Sequence, residues 1–524
     1  LDSLKLLGGL IRTSKWYKNH KLTLNHRDSY IWNLYSPDYY AFYTTLSLKE
    51  ILVDKCDNYT DGNDFIVIDF LKVVIFMLFV STRGKTDLVS ASHAITRGLA
   101  GDGGLFVPKR FPQIRLGDIK AMEKKPYTER AVDILLQFLT DFTEDELREC
   151  VTNAYAPEKF GGEPAPLVKV NANTSVLELW HGPTSAFKDM ALQLLPHVLT
   201  KAIAKTGEKH KVVILVATSG DTGKAALEGF ADVDGTEIIV FYPSQGVSDI
   251  QKRQMITQMG KNVKVFGIEG NFDDAQRGVK EIFGNEALAA ELEEKGYAFS
   301  SANSINWGRL VPQIVYYFSA YVDAVKAGSI KMGDSINFVV PTGNFGNILA
   351  GYYAKLMGLP VERLLCASNS NNVLTDFINT GVYDKRREFF KTVSPSMDIL
   401  VSSNLERLLY AITNENAEKV DALMDKLNTE GSYKIEEEHL KIIQSEFFAA
   451  WVDEVETKEA IARVYSDYNY LMDTHTAVAW RALEKYRLLT SDETFTIVLS
   501  TASPYKFCDS VLEALEDKKQ TETE

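Results

Sequence analysis

Runs of β-branched and apolar residues, VVILVATSG, EIIVFYPS, NVKVFGIEG, SINFVVPTGNFGN and TFTIVLSTASP, alternate with helical stretches, and each run ends in a loop of small polar residues. A chain that switches repeatedly between strand and helix periods specifies an α/β fold with parallel sheets. Ligands in such folds bind at the carboxyl ends of the strands, which is where these loops must lie.

At 524 residues the chain exceeds what one hydrophobic core organises, so two or three domains are expected. With 45% hydrophobic and 24% charged residues the composition is that of a folded globular chain, without repeats or low-complexity tracts. A formal net charge of -14 argues against nucleic acid or an acidic membrane surface as the main partner, because phosphate groups repel such a chain overall. An anionic small molecule would need a local cradle. Cys56, Cys150, Cys366 and Cys508 are far apart with no CxxC pair, so neither a disulfide framework nor a metal site is expected, and the thiols suit a reducing cytoplasm. The apolar run Ile66 to Val80 carries Asp69 and Lys72 and is shorter than the roughly 20 residues of a spanning helix. It reads as a buried strand pair or helix, not a membrane segment.

Residues 1–76 are rich in Tyr, Asn and Lys, begin at Leu1 without methionine and show no clear period. They are expected to be upstream sequence from a misplaced gene start, with the natural chain opening near Met77; mass spectrometry of the native N-terminus tests this. From Met77, strand-like MLFVST leads to the glycine-rich turn Gly101, Asp102, Gly103, Gly104. Helical segments then fill about residues 115–160, with Thr143 and Glu146 spaced for a capping box.

Chemistry concentrates in a few segments. In LELWHGPTSAFKDMALQLLPH, Lys188 follows His181, Gly182, Pro183 and Thr184 and opens a helix on Asp189. Burial among apolar residues would lower its pKa and make it a Schiff-base nucleophile; taken alone, it reads more simply as a solvated lysine at a helix start. In VATSGDTGKAALEG, residues Ser219, Gly220, Asp221, Thr222 and Gly223 join a strand to a helix, so backbone N–H groups point at whatever anion binds. This is not a Walker A loop: Ala225 follows Gly223-Lys224, and Thr218 takes the leading glycine position. In PTGNFGNILAGYYAKLMG, Gly343 and Gly346 allow close backbone approach, and Asn344 and Asn347 offer donors at a helix start, although GxGxxG is absent. Thr501 in TIVLSTASPYKF follows an apolar strand.

Together, in this order, these segments and STRG, GLAGDGGLFVP, SINWGRLVPQ, SSNLERLL and THTAVAW resemble threonine synthase of the bacterial and fungal type, from Met77 to about residue 515. That family is a pyridoxal 5'-phosphate (PLP) enzyme of the tryptophan synthase β-like fold (fold type II). The resemblance implies large and small three-layer α/β domains with an extra N-terminal domain. It places the N-terminal domain at 77–172, the large cofactor domain at 173–211 and 336–515, the small substrate domain at 212–335 and a polar tail at 516–524.

Carried over by residue, Lys188 would be the Schiff-base and catalytic lysine, and Gly343, Asn344, Phe345, Gly346 and Asn347 would hold the cofactor phosphate. Thr501 would face the pyridine nitrogen. Ser219, Gly220 and Thr222 would take the substrate carboxylate, and Asp221, where several relatives have asparagine, the cofactor's phenolic oxygen. Asn303, Asn306 and Arg309, with Ser403, Asn404 and Arg407, would lie near the substrate; either arginine could instead form a structural ion pair. His475 reads as structural. The chain departs from the family at Thr474, where proline is expected, and at Ser503 and Tyr505, where histidine and alanine are usual. The activity implied is conversion of O-phospho-L-homoserine and water to L-threonine and phosphate, by a monomer with a dimer as the alternative. A phospho-lyase releasing 2-oxobutyrate and ammonia, an inactive paralogue that binds a metabolite or protein, and a nucleotide-binding α/β protein are the other readings.

Overall fold

MLFVST forms β1 (Leu78–Ser81), which pairs antiparallel with β2 (Val89–Ser90) and β3 (Phe106–Pro108) in a sheet of order β2-β1-β3. The computed structural model describes residues 76–521 except 208, 219, 245, 246, 248, 271 and 284. Expectations placed on residues 1–75 and on Ser219 lie outside the described residues. Gly103 turns the chain between β1 and β3 with φ 79°, and Gly104 lies so close to Ser81 and Arg83 that a side chain there would collide.

Helices Leu116–Ala121, Tyr127–Leu135 and Glu144–Ala154 follow. The last starts with the expected capping box: Glu146 N donates to Thr143 Oγ1 (3.2 Å), and Thr143 N donates to Glu146 Oε2 (2.8 Å). Thr143→Ala is expected to lower stability by about 1 kcal/mol. A lower denaturant midpoint with an unchanged native circular-dichroism spectrum would show that this end of the chain is scaffold.

Two larger sheets follow. The first has order β14-β11-β10-β15-β5-β4, built from β4 (Leu167–Lys169), β5 (Thr174–Glu178), β10 (Ile336–Pro341), β11 (Val361–Ser368), β14 (Phe447–Trp451) and β15 (Thr496–Ser500). Its pairings are parallel except β4 with β5. The second, β8-β7-β6-β9, is parallel throughout and comes from β6 (Lys211–Ala217), β7 (Thr236–Pro243), β8 (Val263–Ile268) and β9 (Tyr297–Ser301). A two-stranded ribbon pairs β12 (Val382–Asp384) with β13 (Ser432–Lys434).

Side chains alternate between the faces of a strand, so a sheet buried on both sides needs apolar residues at every position. Phe338, Val340, Leu364, Cys366, Ile497 and Leu499 face one core, while Val339, Leu365, Ala367 and Val498 face another. Helices cover each side: Trp307–Lys326 and Gly346–Leu356 contribute to the first core, Thr474–Thr490 to the second. In the smaller sheet Val212, Ile214 and Val216 face the main core, and Val213, Leu215 and Ala217 a separate cluster with Ala275 and Val279. The chain is thus an α/β fold of helix-covered parallel sheets with an extra N-terminal part. Helix Cys508–Thr521 runs through most of the segment read as a polar tail. Among the described residues no helix is long and apolar enough to cross a membrane.

Candidate active site

Because β15 lies between β10 and β5, their parallel carboxyl ends set side by side the loops carrying residues 343–347, Thr501 and Lys188. Backbone pairing fixes the last two together. Phe187 N donates to Thr501 O (2.8 Å), Ser503 N donates to Ser185 O (3.1 Å), and Ala186 bridges Ala502. Lys188 then caps the short helix α1 (Asp189–Leu192), with its side chain 12% exposed.

Lys188 Nζ donates to Ser396 Oγ (3.3 Å) and lies 3.8 Å from Asp221 Oδ2. Burial pushes its pKa down to about 8; Asp221 pulls it back up, while Lys506 and Arg309 push it further down. Two unit charges about 4 Å apart interact by roughly 4 kcal/mol at an effective dielectric constant of about 20, so Asp221 alone could hold the ammonium charged. Burial and two further cations more than offset this, so the amine sits below the ordinary lysine range while remaining mostly charged at neutral pH. Asp221 is buried at the start of α2 (Asp221–Phe230). Burial raises its pKa, but Lys506 and Lys188 outweigh this and hold the carboxyl well below the usual range. Asp189, which accepts from Thr184 N and Oγ1 (both 2.8 Å), is pushed by burial up to about 6.

The 343–347 loop has the features an anion needs. Phe345 adopts the left-handed conformation (φ 61°), and α4 (Gly346–Leu356) begins after it without a side-chain cap. The first helical N–H groups therefore face outward without a capping oxygen. Tyr316 and Tyr317 of α3 (Trp307–Lys326) donate their hydroxyls to Asn347 Oδ1 (2.6 and 3.0 Å). That fixes the amide with its buried Nδ2 lacking a protein partner. A Cβ on Gly343 would come within 2.8 Å of Ser396 O. A phosphate group fits this cradle, and a buried lysine of lowered pKa adjoins it through Ser396.

The substrate-side expectations fall out unevenly. Gly220 (φ 148°) lies against Gln251, and the amides of Gly220 and Gly223 donate to Thr218 Oγ1 (3.0 and 2.9 Å), so part of the expected nest is already filled by that hydroxyl. Thr222 is half-buried on α2. Asn303 follows the carboxyl end of β9, with its N–H donating to Ser301 Oγ (3.1 Å). Asn306 is fully buried, donating to Ile95 O and Ser301 O (both 3.0 Å). Arg309 is 4% exposed; one Nη donates to Ala302 O (2.9 Å), its buried Nε has no partner, and burial pushes its pKa down to about 10. It has no carboxylate partner among the described residues.

Arg407 is placed differently from the expectation that it meets a substrate. Fully buried on α5 (Leu405–Ile412), it donates to Phe106 O (3.0 Å), Asn404 Oδ1 (2.5 Å) and Ile305 O (2.6 Å). Asn404 in turn donates through N and Nδ2 to Asn344 O (3.1 and 3.0 Å), and Ser402 Oγ donates to Gly343 O (2.9 Å). These residues support the anion loop from behind. His475, on α6 (Thr474–Thr490), has Nδ1 2.7 Å from Asp473 Oδ2 and accepts from Ser396 N through Nε2 (3.2 Å). Of the departures, Thr474 donates to Val393 O (2.7 Å), Ser503 is buried, and Tyr505 is 75% exposed. The sequence reading overlooked Ser396 and Lys506. Lys506 Nζ lies 2.6 Å from Asp221 Oδ1, and its only sequence signal is its place shortly after Thr501.

Helix-covered parallel sheets with a buried lysine beside an uncapped helix start at the strand ends suit a pyridoxal-phosphate dependent enzyme, and the family matches assign the chain to that class. Residues 160–501 match the family model described as "Pyridoxal-phosphate dependent enzyme" and residues 78–155 that described as "Threonine synthase N terminus". Threonine synthase of Pseudomonas aeruginosa is 41% identical over 439 residues, covering 84% of this chain and 90% of that protein. Human Threonine synthase-like 1 is 42% identical over 464 residues, 85% of this chain; the chain spans 62% of that protein's length. The crystal structure of PLP-bound threonine synthase from Brucella melitensis superposes with a TM-score of 0.77 at 41% identity, covering 84% of this chain and 91% of that one. The chain belongs to the threonine synthase family, and its cofactor is pyridoxal phosphate.

Proposed function

We propose that this protein converts O-phospho-L-homoserine and water to L-threonine and phosphate. The observation that carries the reading is the meeting of Lys188, a buried amine of lowered pKa, with the uncapped helix start and free Asn347 amide at the ends of neighbouring strands. In this reading 173–211 and 336–515 hold the cofactor, and 212–335 the substrate. The protein acts in the cytoplasm as a monomer or dimer.

Gly343, Asn344, Phe345, Gly346 and Asn347 would hold the cofactor phosphate by helix amides and the Asn347 Nδ2, with Thr501 toward the pyridine nitrogen. A neutral hydroxyl there leaves that nitrogen largely unprotonated. When bound, pyridoxal phosphate would supply an electron sink for negative charge developing beside the substrate amine. Lys188, as a free amine, would take protons from Cα and Cβ and return them at Cγ and Cα. The Cγ–O bond would break with its electron pair leaving on phosphate, and water would add its hydroxyl at Cβ, its remaining proton ending on the released phosphate. Arg309, with a free buried Nε, suits the substrate phosphate, Ser219 and Thr222 its carboxylate, with the Gly220 amide available only if it leaves Thr218 Oγ1, and Asn303 would lie near the substrate.

Incubating the PLP-loaded protein with O-phospho-L-homoserine is expected to release threonine and phosphate in equal amounts, read by amino-acid and phosphate analysis. Release of 2-oxobutyrate and ammonia would replace the reading with a phospho-lyase.

A further inference from the structure

Buried charge in the described residues gathers around Asp221. Lys506, on the short turn Pro504–Phe507 after β15, has its side chain 7% exposed; its Nζ lies 2.6 Å from Asp221 Oδ1 and donates to Thr184 O (3.0 Å). Gln251 Nε2 donates to the same Asp221 oxygen (3.2 Å). The other oxygen accepts from Ser396 Oγ (3.1 Å) and stands 3.8 Å from Lys188 Nζ. Lys188 is faced by Asp221 of α2, Lys506 of the turn, Arg309 of α3 and Asp189 of its own helix. His475 of α6 reaches the group through Ser396 N, and the Phe187 ring centroid lies 5.4 Å from Nζ.

Two ammonium groups thus share one buried carboxylate, and Lys506 has the shorter contact. An unshared carboxylate would turn toward the only ammonium left, since a buried charge without a partner is costly. We infer that Lys506 is a positioning residue for Lys188: by occupying Asp221 Oδ1 it keeps the carboxylate from closing on the Lys188 amine, which stays able to give up its proton. The inference rests on the proposed role of Lys188 as the working amine. The lowered pKa of Lys188, to which Lys506 contributes, accords with the geometry.

The test is pulse labelling of the cofactor-free protein with acetic anhydride across a pH series, with acetylation of Lys188 quantified by mass spectrometry. Wild type is expected to half-label near pH 8. Lys506→Met should raise that midpoint by at least about one unit, roughly a tenfold loss of labelling below it, and Lys506→Arg should restore it. An unchanged or lower midpoint in folded Lys506→Met overturns the inference. Should that variant not fold, Asp221→Asn serves: its midpoint should fall below wild type, and an unchanged or raised one overturns the inference. In the Asp221→Asn background, Lys506→Met should shift the midpoint by less than half as much as alone; an equal shift would mean that Lys506 does not act through Asp221. Borohydride trapping of pyridoxal phosphate is read separately. Absence of a trapped Lys188 adduct would refute the role of Lys188 itself, whatever the labelling midpoints.

Discussion

Lys188→Ala is expected to abolish covalent capture of pyridoxal phosphate and to lower turnover of O-phospho-L-homoserine by at least about 10³-fold, because both the attachment and the proton transfers depend on one amine. The variant should fold. It removes a partly desolvated cation and leaves Asp221 still paired with Lys506 at 2.6 Å, so no buried carboxylate is stranded. The phosphate cradle is also untouched, since its contacts run through Tyr316, Tyr317, Ser402 and Asn404. The protein should therefore still bind the cofactor noncovalently, with the cofactor removable by dialysis and no borohydride trapping. Trapping at another lysine, or turnover near wild type, would assign the chemistry elsewhere.

Arg407→Met is expected to destabilise the protein by about 3 kcal/mol, the scale of losing charge-assisted hydrogen bonds while leaving buried acceptors unpaired. Those acceptors are Phe106 O of β3, Ile305 O before α3 and Asn404 Oδ1, which draw on three separate stretches of chain. The denaturant midpoint should fall, while the folded fraction at low temperature should keep its KM. A raised KM at unchanged stability would instead put Arg407 in contact with substrate.

The parallel sheets were legible because neighbouring residues such as Phe338, Val339 and Val340 fill opposite cores, a demand that leaves an unbroken apolar run in the sequence. The place of the 343–347 loop was legible too: it follows the apolar run of β10, and glycine at 343 marks a close backbone approach to Ser396. What escaped depends on distant chain. Arg407 looks like any arginine on a helix until carbonyls from Phe106 and Ile305 arrive to meet it. Lys506 has no local pattern that separates it from a solvated lysine, and only the fold sets it against Asp221. The Thr218 hydroxyl takes two amides that spacing alone assigned to an incoming anion.

The placement of β15 between β5 and β10 also bears on how the molecule is made. Synthesis proceeds from the N-terminus, so β5 and β10 are complete long before residues 496–500 leave the ribosome. Until then the large sheet has a gap at its centre, with apolar strand edges on either side that invite pairing with other chains. The last strand closes this gap and, in the same movement, delivers Thr501 and Lys506 to the lysine loop. Completion of the large sheet and assembly of the Lys188–Asp221–Lys506 group are thus one event, which leaves the nascent chain dependent on protection from aggregation until residues 496–506 emerge.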